Sequence, residues 1–264
     1  MLKVVLSIAG SDSCGGAGIQ ADLKTFSALG VFGATAVTAL TAQNTVGVRS
    51  VADLDAQFVA AQIQAVLDDL PVAAAKTGML SRTEIIEVVA AAARERSIPN
   101  LVVDPVMVAA SGDLLLTPGA VAALREHMFP LAVLVTPNLR ETEILLGREE
   151  INSRDAMRSA ARELVRLGAR AALVTGGALK GDALDVFFDG HELHEYGMPR
   201  RGARAHGAGC TLSAAIAARL AWGDSLPNAI GAAKNFVTRA IAQAPALGRG
   251  ARPLNHLAST ADET

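Results

Sequence analysis

Short apolar runs recur along this chain, each followed by a turn and a longer amphipathic segment, and that rhythm limits the possible folds sharply. Val4 to Ala9, Ala34 to Leu40, Val72 to Ala75, Leu101 to Val103, Ala132 to Val135 and Ala171 to Val174 are apolar almost without interruption. Such runs belong to strands covered on both faces. Between them, Asp55 to Leu70 sets Val59, Ile63, Val66, Leu67 and Leu70 on one helical face. Ser81 to Arg96 and Ser153 to Leu167 repeat the pattern, each opening on a polar N-cap residue. Gly209 to Trp222 and Leu226 to Ala242 read as two further helices. The alternation predicts an α/β fold in three layers, with helices on both faces of a mostly parallel sheet. Asp182 to Pro199 breaks the rhythm: two short strands around Asp189-Gly190 predict a β-hairpin. It serves either as a flap over a site or as an ordinary sheet edge. From about residue 248 the chain reads as a polar tail. No repeat or linker interrupts residues 1–264, so a single domain is expected.

Composition narrows the function. The 264 residues are 51% hydrophobic and 19% charged, a well-filled core. Aromatic residues are 3% of the chain, too few for the stacking platforms of single-stranded nucleic-acid binders. A net charge of −2 offers no field for a polyanion. Cys14 and Cys210 are the two cysteines, which predicts reduced thiols and a cytoplasmic protein. The apolar start runs into Ser11 and Asp12 and does not read as a signal peptide. No apolar run approaches the length of a membrane span. A small anionic ligand held by local dipoles fits these bounds.

Chemistry is expected where parallel strands end. His206-Gly207-Ala208-Gly209-Cys210-Thr211 precedes an apolar helix, and the free N–H groups and positive dipole end of a helix start bind anions. The same field would acidify Cys210. The alternative is a glycine loop that allows close packing, with Cys210 as a small buried hydrophobe. After the first run come Gly10 to Gly18, with Asp22 on the following helix. After the second comes Gln43, whose amide offers a donor and an acceptor to a heterocycle edge. Lys76 to Met79, Asp104 to Met107, Thr136 to Glu141 and Thr175 to Gly177 follow the others. Asp104 and Glu141 are the carboxylate pair suited to Mg²⁺, against an alternative of capping or surface pairing. No phosphate loop of the Gly-x-x-x-x-Gly-Lys-Ser/Thr type and no Cys/His metal spacing is present. His127, His191 and His194 read as surface residues, His256 as part of the tail, and His206 as a packing or capping one.

Taken together, these motifs resemble the hydroxymethylpyrimidine/phosphomethylpyrimidine kinases of thiamine biosynthesis, within the ribokinase-like superfamily. The resemblance runs from Ile8 to about His256. It is carried by Ala9-Gly10-Ser11-Asp12, Gly15 to Phe26, Thr38 to Thr45, Lys76 to Leu80, Asp104 to Met107, Thr136-Pro137-Asn138 with Glu141, and Gly209-Cys210-Thr211. It implies a ribokinase-like fold, and transfer of phosphate from ATP to the hydroxymethyl group of an aminopyrimidine, then to the monophosphate. It further implies that Gln43 binds the pyrimidine edge, with Gly10, Ala17, Asp22, Met79 and Val106 shaping the pocket. Cys210 would lie beside the substrate hydroxyl, and Gly207, Ala208 and Gly209 would complete an anion hole with it. Asp104, Asn138 and Glu141 would organise Mg²⁺ and phosphates, with Thr175, Gly177 and Lys234 lining the ATP site. A homodimer is implied as well.

Some positions depart from the family pattern. Thr175 stands where the family usually has Lys, and Ala208 replaces the Thr of Gly-Thr-Gly-Cys. Ser13-Cys14 stands where Pro-Ser is frequent, and Arg201 to Ala205 lacks the usual Asn-Thr pair. Arg201 or Arg204 is a candidate for the missing positive charge. The competing readings are a pyridoxine or pyridoxal kinase, and a non-catalytic vitamin or nucleotide sensor on the same scaffold.

Overall fold

A computed structural model describes residues 2–108, 112, 115–117, 119–148, 150–177, 179, 181–200 and 205–258. In chain order it holds β1 (Val4–Asp12), α1 (Gly18–Ala28), β2 (Phe32–Gln43), β3 (Val48–Asp53), α2 (Ala56–Asp69), β4 (Val72–Thr77), α3 (Thr83–Glu95) and β5 (Leu101–Val103). The short α4 (Ala120–Ala123) runs through a π turn into a 3₁₀ turn and then β6 (Leu134–Val135). There follow α5 (Leu139–Leu146), α6 (Arg154–Arg166), β7 (Ala172–Gly176), β8 (Ala183–Phe188) and β9 (Leu193–Met198). β10 (Ala205–His206), α7 (Ala208–Ala221), α8 (Leu226–Ala242) and β11 (Arg252–Pro253) complete the order.

Nine strands form one sheet in the order β3-β2-β1-β4-β5-β6-β7-β8-β9. The six from β2 to β7 pair in parallel, while β3, β8 and β9 are antiparallel. Side chains along each strand alternate between two cores. Val4, Leu6 and Ile8 face one, Val5 the other; Leu101 and Val103 oppose Val102, and Ala172 and Val174 oppose Leu173. That division is why the strands are apolar throughout. The first core takes Val59 and Ile63 of α2, Ile85, Ile86 and Val89 of α3, and Met157 and Leu164 of α6. The second takes Phe26 of α1, Leu212 and Ile216 of α7, and Ile230 and Phe236 of α8. The three-layer, mostly parallel architecture expected from sequence is therefore present.

The chain leaves β1 towards β2 on one side and resumes at β4 on the other. Parallel sheets open a crevice at the carboxyl ends of strands flanking such a switch, here β1 and β4.

Local differences from the sequence reading have physical reasons. β3 has no apolar run to announce it, because this edge strand is almost wholly exposed. The hairpin around Asp189-Gly190 forms, with the Asp189 carboxylate accepting from the His191 and Glu192 amides. It extends the sheet beside β7 and takes the edge role rather than the flap role, since Val186 and Phe187 are buried in the two cores. Instead, the β2–β3 hairpin, paired from Ala39 to Gln43, carries Gln43 beside the crevice. Ser153 caps its helix as expected, and Asp55 caps α2 in the same way. Ser81 does not; its hydroxyl donates to Asp53, and α3 starts at Thr83 after Arg82, whose side chain makes no cap.

The segment read as a polar tail packs back on the domain as far as His256. Arg252 and Pro253 pair with Ala205 and His206, the Ala251 amide donates to the Thr45 carbonyl, and Leu254 and His256 are buried. Residues 259–264, and Arg201 and Arg204 with them, lie outside the described residues.

Candidate active site

A cavity of about 350 Å³ opens at the carboxyl ends of β1, β4, β5 and β6 and against the start of α7. Its lining includes Gly10, Ala17, Gln43, Met79, Asp104, Val106, Asn138, Glu141, Thr175 and Gly207 to Cys210. Thirteen of the sixteen residues picked out from sequence are thus brought together; Asp22, Gly177 and Lys234 are not among its walls.

At one end, neutral groups stand beside the Asp12–His206 pair. A methyl group on Gly10 would come within 2.8 Å of Met79 Cε, so glycine there makes room for the Met79 side chain. The Ser13 hydroxyl accepts from the Gln43 amide and donates to the Gln43 carbonyl, 2.9 Å each, fixing the end of β2 against the loop after β1. Gln43 Oε1 accepts from Thr41 Oγ1 at 3.1 Å. Val106 is anchored by its amide on the Asp104 carbonyl at 2.9 Å.

The other end collects charge and dipoles. Gly207, at φ +85°, is the N-cap of α7, and the first intrahelical bond from Thr211 reaches its carbonyl at 2.9 Å. Ala208, Gly209 and Cys210 form the first turn, whose amides have no carbonyl four residues back inside the helix, and all three line the cavity. Glu141 and Asn138 form a capping box at α5: Asn138 Oδ1 accepts from the Glu141 amide at 3.0 Å, and Glu141 Oε2 from the Asn138 amide at 2.9 Å. Capping therefore coexists with a place in the cavity wall. Burial and the nearby Asp104 charge push the Glu141 carboxyl up to about 8. Burial also raises Asp104, offset by Lys76 and by the Ser213 hydroxyl, which donates at 2.9 Å.

Behind that wall lies a charge pair the sequence reading did not single out. Lys76, fully buried, reaches both Asp22 oxygens at 3.1 and 3.2 Å and lies 3.9 Å from Asp104. Asp22 also accepts from Ser7 Oγ at 2.6 Å. Asp22 is thus a buried partner of Lys76 and not a wall residue. Ser213, three residues after Cys210, was legible in principle from helical spacing; Lys76 carried no signal beyond its place at a strand end. Lys234 is likewise occupied, its Nζ 2.5 Å from Asp185 Oδ2, while Asp185 Oδ1 accepts from the Gly176 amide. Gly177 is exposed and its carbonyl accepts from Arg200. Thr175 hangs from the Pro137 carbonyl through its amide, 2.9 Å.

The acidified thiol expected from sequence is not found. Burial pushes Cys210 up to about 12, and Lys76 only partly counters it. His256, read as part of the polar tail, is buried and shares a 3.0 Å hydrogen bond with Thr211 Oγ1; burial and the Lys24 charge hold it down at about 4. His206 meets Asp12 at 2.9 Å. Sequence spacing gave no Cys/His cluster, yet folding brings ligand atoms of Asp12, Cys14 and His206 within 4.8 Å.

With this geometry in view, residues 12–255 match the family model described as phosphomethylpyrimidine kinase. The chain belongs to that family. It is a kinase, and ATP is the family's phosphoryl donor. The hydroxymethylpyrimidine/phosphomethylpyrimidine kinase of Rhizobium meliloti strain 1021 is 54% identical over 260 residues, covering 97% of each chain. The crystal structure of phosphomethylpyrimidine kinase from Clostridium difficile 630 is 42% identical, with a TM-score of 0.81, over 90% of this chain and 99% of that one. Pyridoxal kinase from Staphylococcus aureus, solved with AMP-PCP and pyridoxal, has a TM-score of 0.92 at 36% identity, over 100% of this chain and 96% of that one. The three-layer framework is thus common to enzymes named for two different heteroaromatic substrates.

Proposed function

We propose that the enzyme transfers phosphate from ATP to the hydroxymethyl oxygen of 4-amino-5-hydroxymethyl-2-methylpyrimidine, and then to the monophosphate, in thiamine biosynthesis. The observation that carries this reading is one cavity lined both by the Gln43 amide and by the first turn of α7, whose free N–H groups suit an anion. Gln43 reads the pyrimidine edge, with Gly10, Ala17, Met79 and Val106 as its walls. The amides of Ala208, Gly209 and Cys210 hold the phosphoryl oxygens on which charge gathers. The hydroxyl oxygen bonds to phosphorus as the bond to ADP breaks, and its proton leaves late in a loose transition state. Cys210, a thiol at neutral pH, stands beside that oxygen as a wall and donor and not as a preformed thiolate base.

The donors fit Mg²⁺: Asp104, Glu141 and Asn138 supply oxygens, and Thr136 Oγ1 is buried without a hydrogen-bond partner among the described residues. When bound, the ion neutralises phosphate charge. Asn138 and Thr175 face the nucleotide, while Lys234 acts on Gly176, the residue before Gly177, through Asp185. Asp22 supports the site by pairing Lys76. Exposed Phe32, Leu40, Val51 and Phe58 on neighbouring elements support a homodimer, and two free cysteines are in keeping with a cytoplasmic setting.

Likeness to the Staphylococcus aureus enzyme favours pyridoxal as the competing substrate. Comparing kcat/KM for hydroxymethylpyrimidine and pyridoxal decides between them. A pyrimidine preference is expected; a clear pyridoxal preference overturns the assignment.

A further inference from the structure

Two of the loops that line the cavity, the one after β1 and the one before α7, are almost two hundred residues apart in the chain, and one side-chain pair joins them. Asp12 ends β1, and its carboxylate organises the following loop: Oδ1 accepts from the Cys14 amide at 2.8 Å, Oδ2 from the Gly16 and Ala17 amides at 3.0 and 2.9 Å. The same Oδ2 lies 2.9 Å from Nε2 of His206, the buried residue immediately before Gly207. Burial works against the Asp12 charge, but the bonds from His206, Cys14 and Ala17 outweigh it and hold the carboxyl below its ordinary range. A carboxylate accepts, so His206 Nε2 carries the proton.

Backbone packing independently shows that these loops touch. A methyl group on Gly207 would lie 1.8 Å from the Gly16 carbonyl oxygen, and one on Gly16 would lie 2.3 Å from His206 Cδ2. The imidazole also approaches the substrate-reading amide: Gln43 Nε2 is 3.4 Å from His206 Nε2. With that ring nitrogen donating to Asp12, it has no lone pair for Gln43, whose amide N–H groups stay available to a ligand.

We propose that Asp12 and His206 are a positioning pair that fixes the spacing between the pyrimidine-side loop at Ala17 and the anion-binding turn at Ala208–Cys210. The proposal rests on the kinase reading above. In-line transfer needs the hydroxyl oxygen and the phosphorus held at a set separation, and a displacement of about 1 Å costs on the order of a hundredfold in rate. The pair acts through the two loops and need not touch the reacting atoms.

The test compares Asp12→Ala, His206→Phe, the double variant and His206→Gln in steady-state kinetics with ATP and hydroxymethylpyrimidine. Amide hydrogen exchange is followed alongside. Each of the first two should lower kcat by about a hundredfold with pyrimidine KM within about threefold, and the double variant should be no slower than the worse single one. His206→Gln, whose amide nitrogen reaches the place of Nε2, should recover most of the loss. Exchange should rise together in residues 14–17 and 207–211 whichever partner is changed. Wild-type kcat in both single variants, additive losses, no recovery by glutamine, or faster exchange confined to the substituted loop would each overturn the pair. If the wild-type protein phosphorylates no pyrimidine, the functional reading fails, while the exchange coupling still decides the proposal.

Discussion

The pyrimidine end and the phosphate end of the cavity are built on opposite principles. At the first, neutral side chains and backbone latches define a shape: Gln43 held through Ser13 and Thr41, Met79 accommodated by Gly10. At the second, burial holds ionisable groups away from their ordinary behaviour, with Asp104 and Glu141 raised and Lys76 locked between Asp22 and Asp104. A neutral, shaped end discriminates among substrates with little change between ground and transition states. A charged, desolvated end acts most strongly where charge develops in the transition state. Substitutions of the side chains that face ligand at the two ends should therefore separate into effects on KM and effects on kcat, whereas the Asp12–His206 pair that joins the loops acts on kcat.

The largest effect should come from Gly207→Ala. It combines a positive φ with a 1.8 Å clash against the Gly16 carbonyl, so the anion-binding turn is displaced and kcat should fall by roughly a thousandfold or more. Turnover near wild type would show that the turn has no role. Asp104→Asn should come next, with kcat down by about a hundredfold and pyrimidine KM little changed. Removing Mg²⁺ with a chelator should abolish turnover in the wild-type protein. A rise in pyrimidine KM at constant kcat would put Asp104 at the wrong end. Gln43→Ala should do the reverse, raising pyrimidine KM about tenfold with kcat nearly intact; a pure kcat loss would erase the division.

Cys210→Ala should have the smallest effect, a loss of kcat within about tenfold. Below a thiol value of about 12 the thiolate fraction grows tenfold for each pH unit, so a thiolate base would make kcat climb steeply with pH. A profile without that climb between about pH 7 and 9 is expected for a thiol that is no base. A unit slope lost in Cys210→Ala would reassign it as the base.

Much of this was legible in the chain. Continuous apolar runs gave the parallel strands, because burial on both faces leaves no polar position to confuse the period. Motifs at strand ends gave most of the cavity, because a parallel sheet presents all those ends on one side. What stayed hidden depends on distant pairing. β3 is an exposed edge without an apolar signature, and Asp22 and Lys234 look free in sequence until Lys76 and Asp185 are seen beside them. The thiol of Cys210 illustrates the same gap. A helix N-terminus alone argues for acidification, but the depth of burial reverses the sign. His256 read as a tail residue because only the fold reveals that Thr211 needs it.

The most direct measurement is a time course of the protein with ATP, Mg²⁺ and hydroxymethylpyrimidine, followed by mass spectrometry. The pyrimidine should gain one phosphate and then a second, with ADP formed in step. No ATP-dependent gain of phosphate would contradict the account; a halt after the first would remove the second transfer from it.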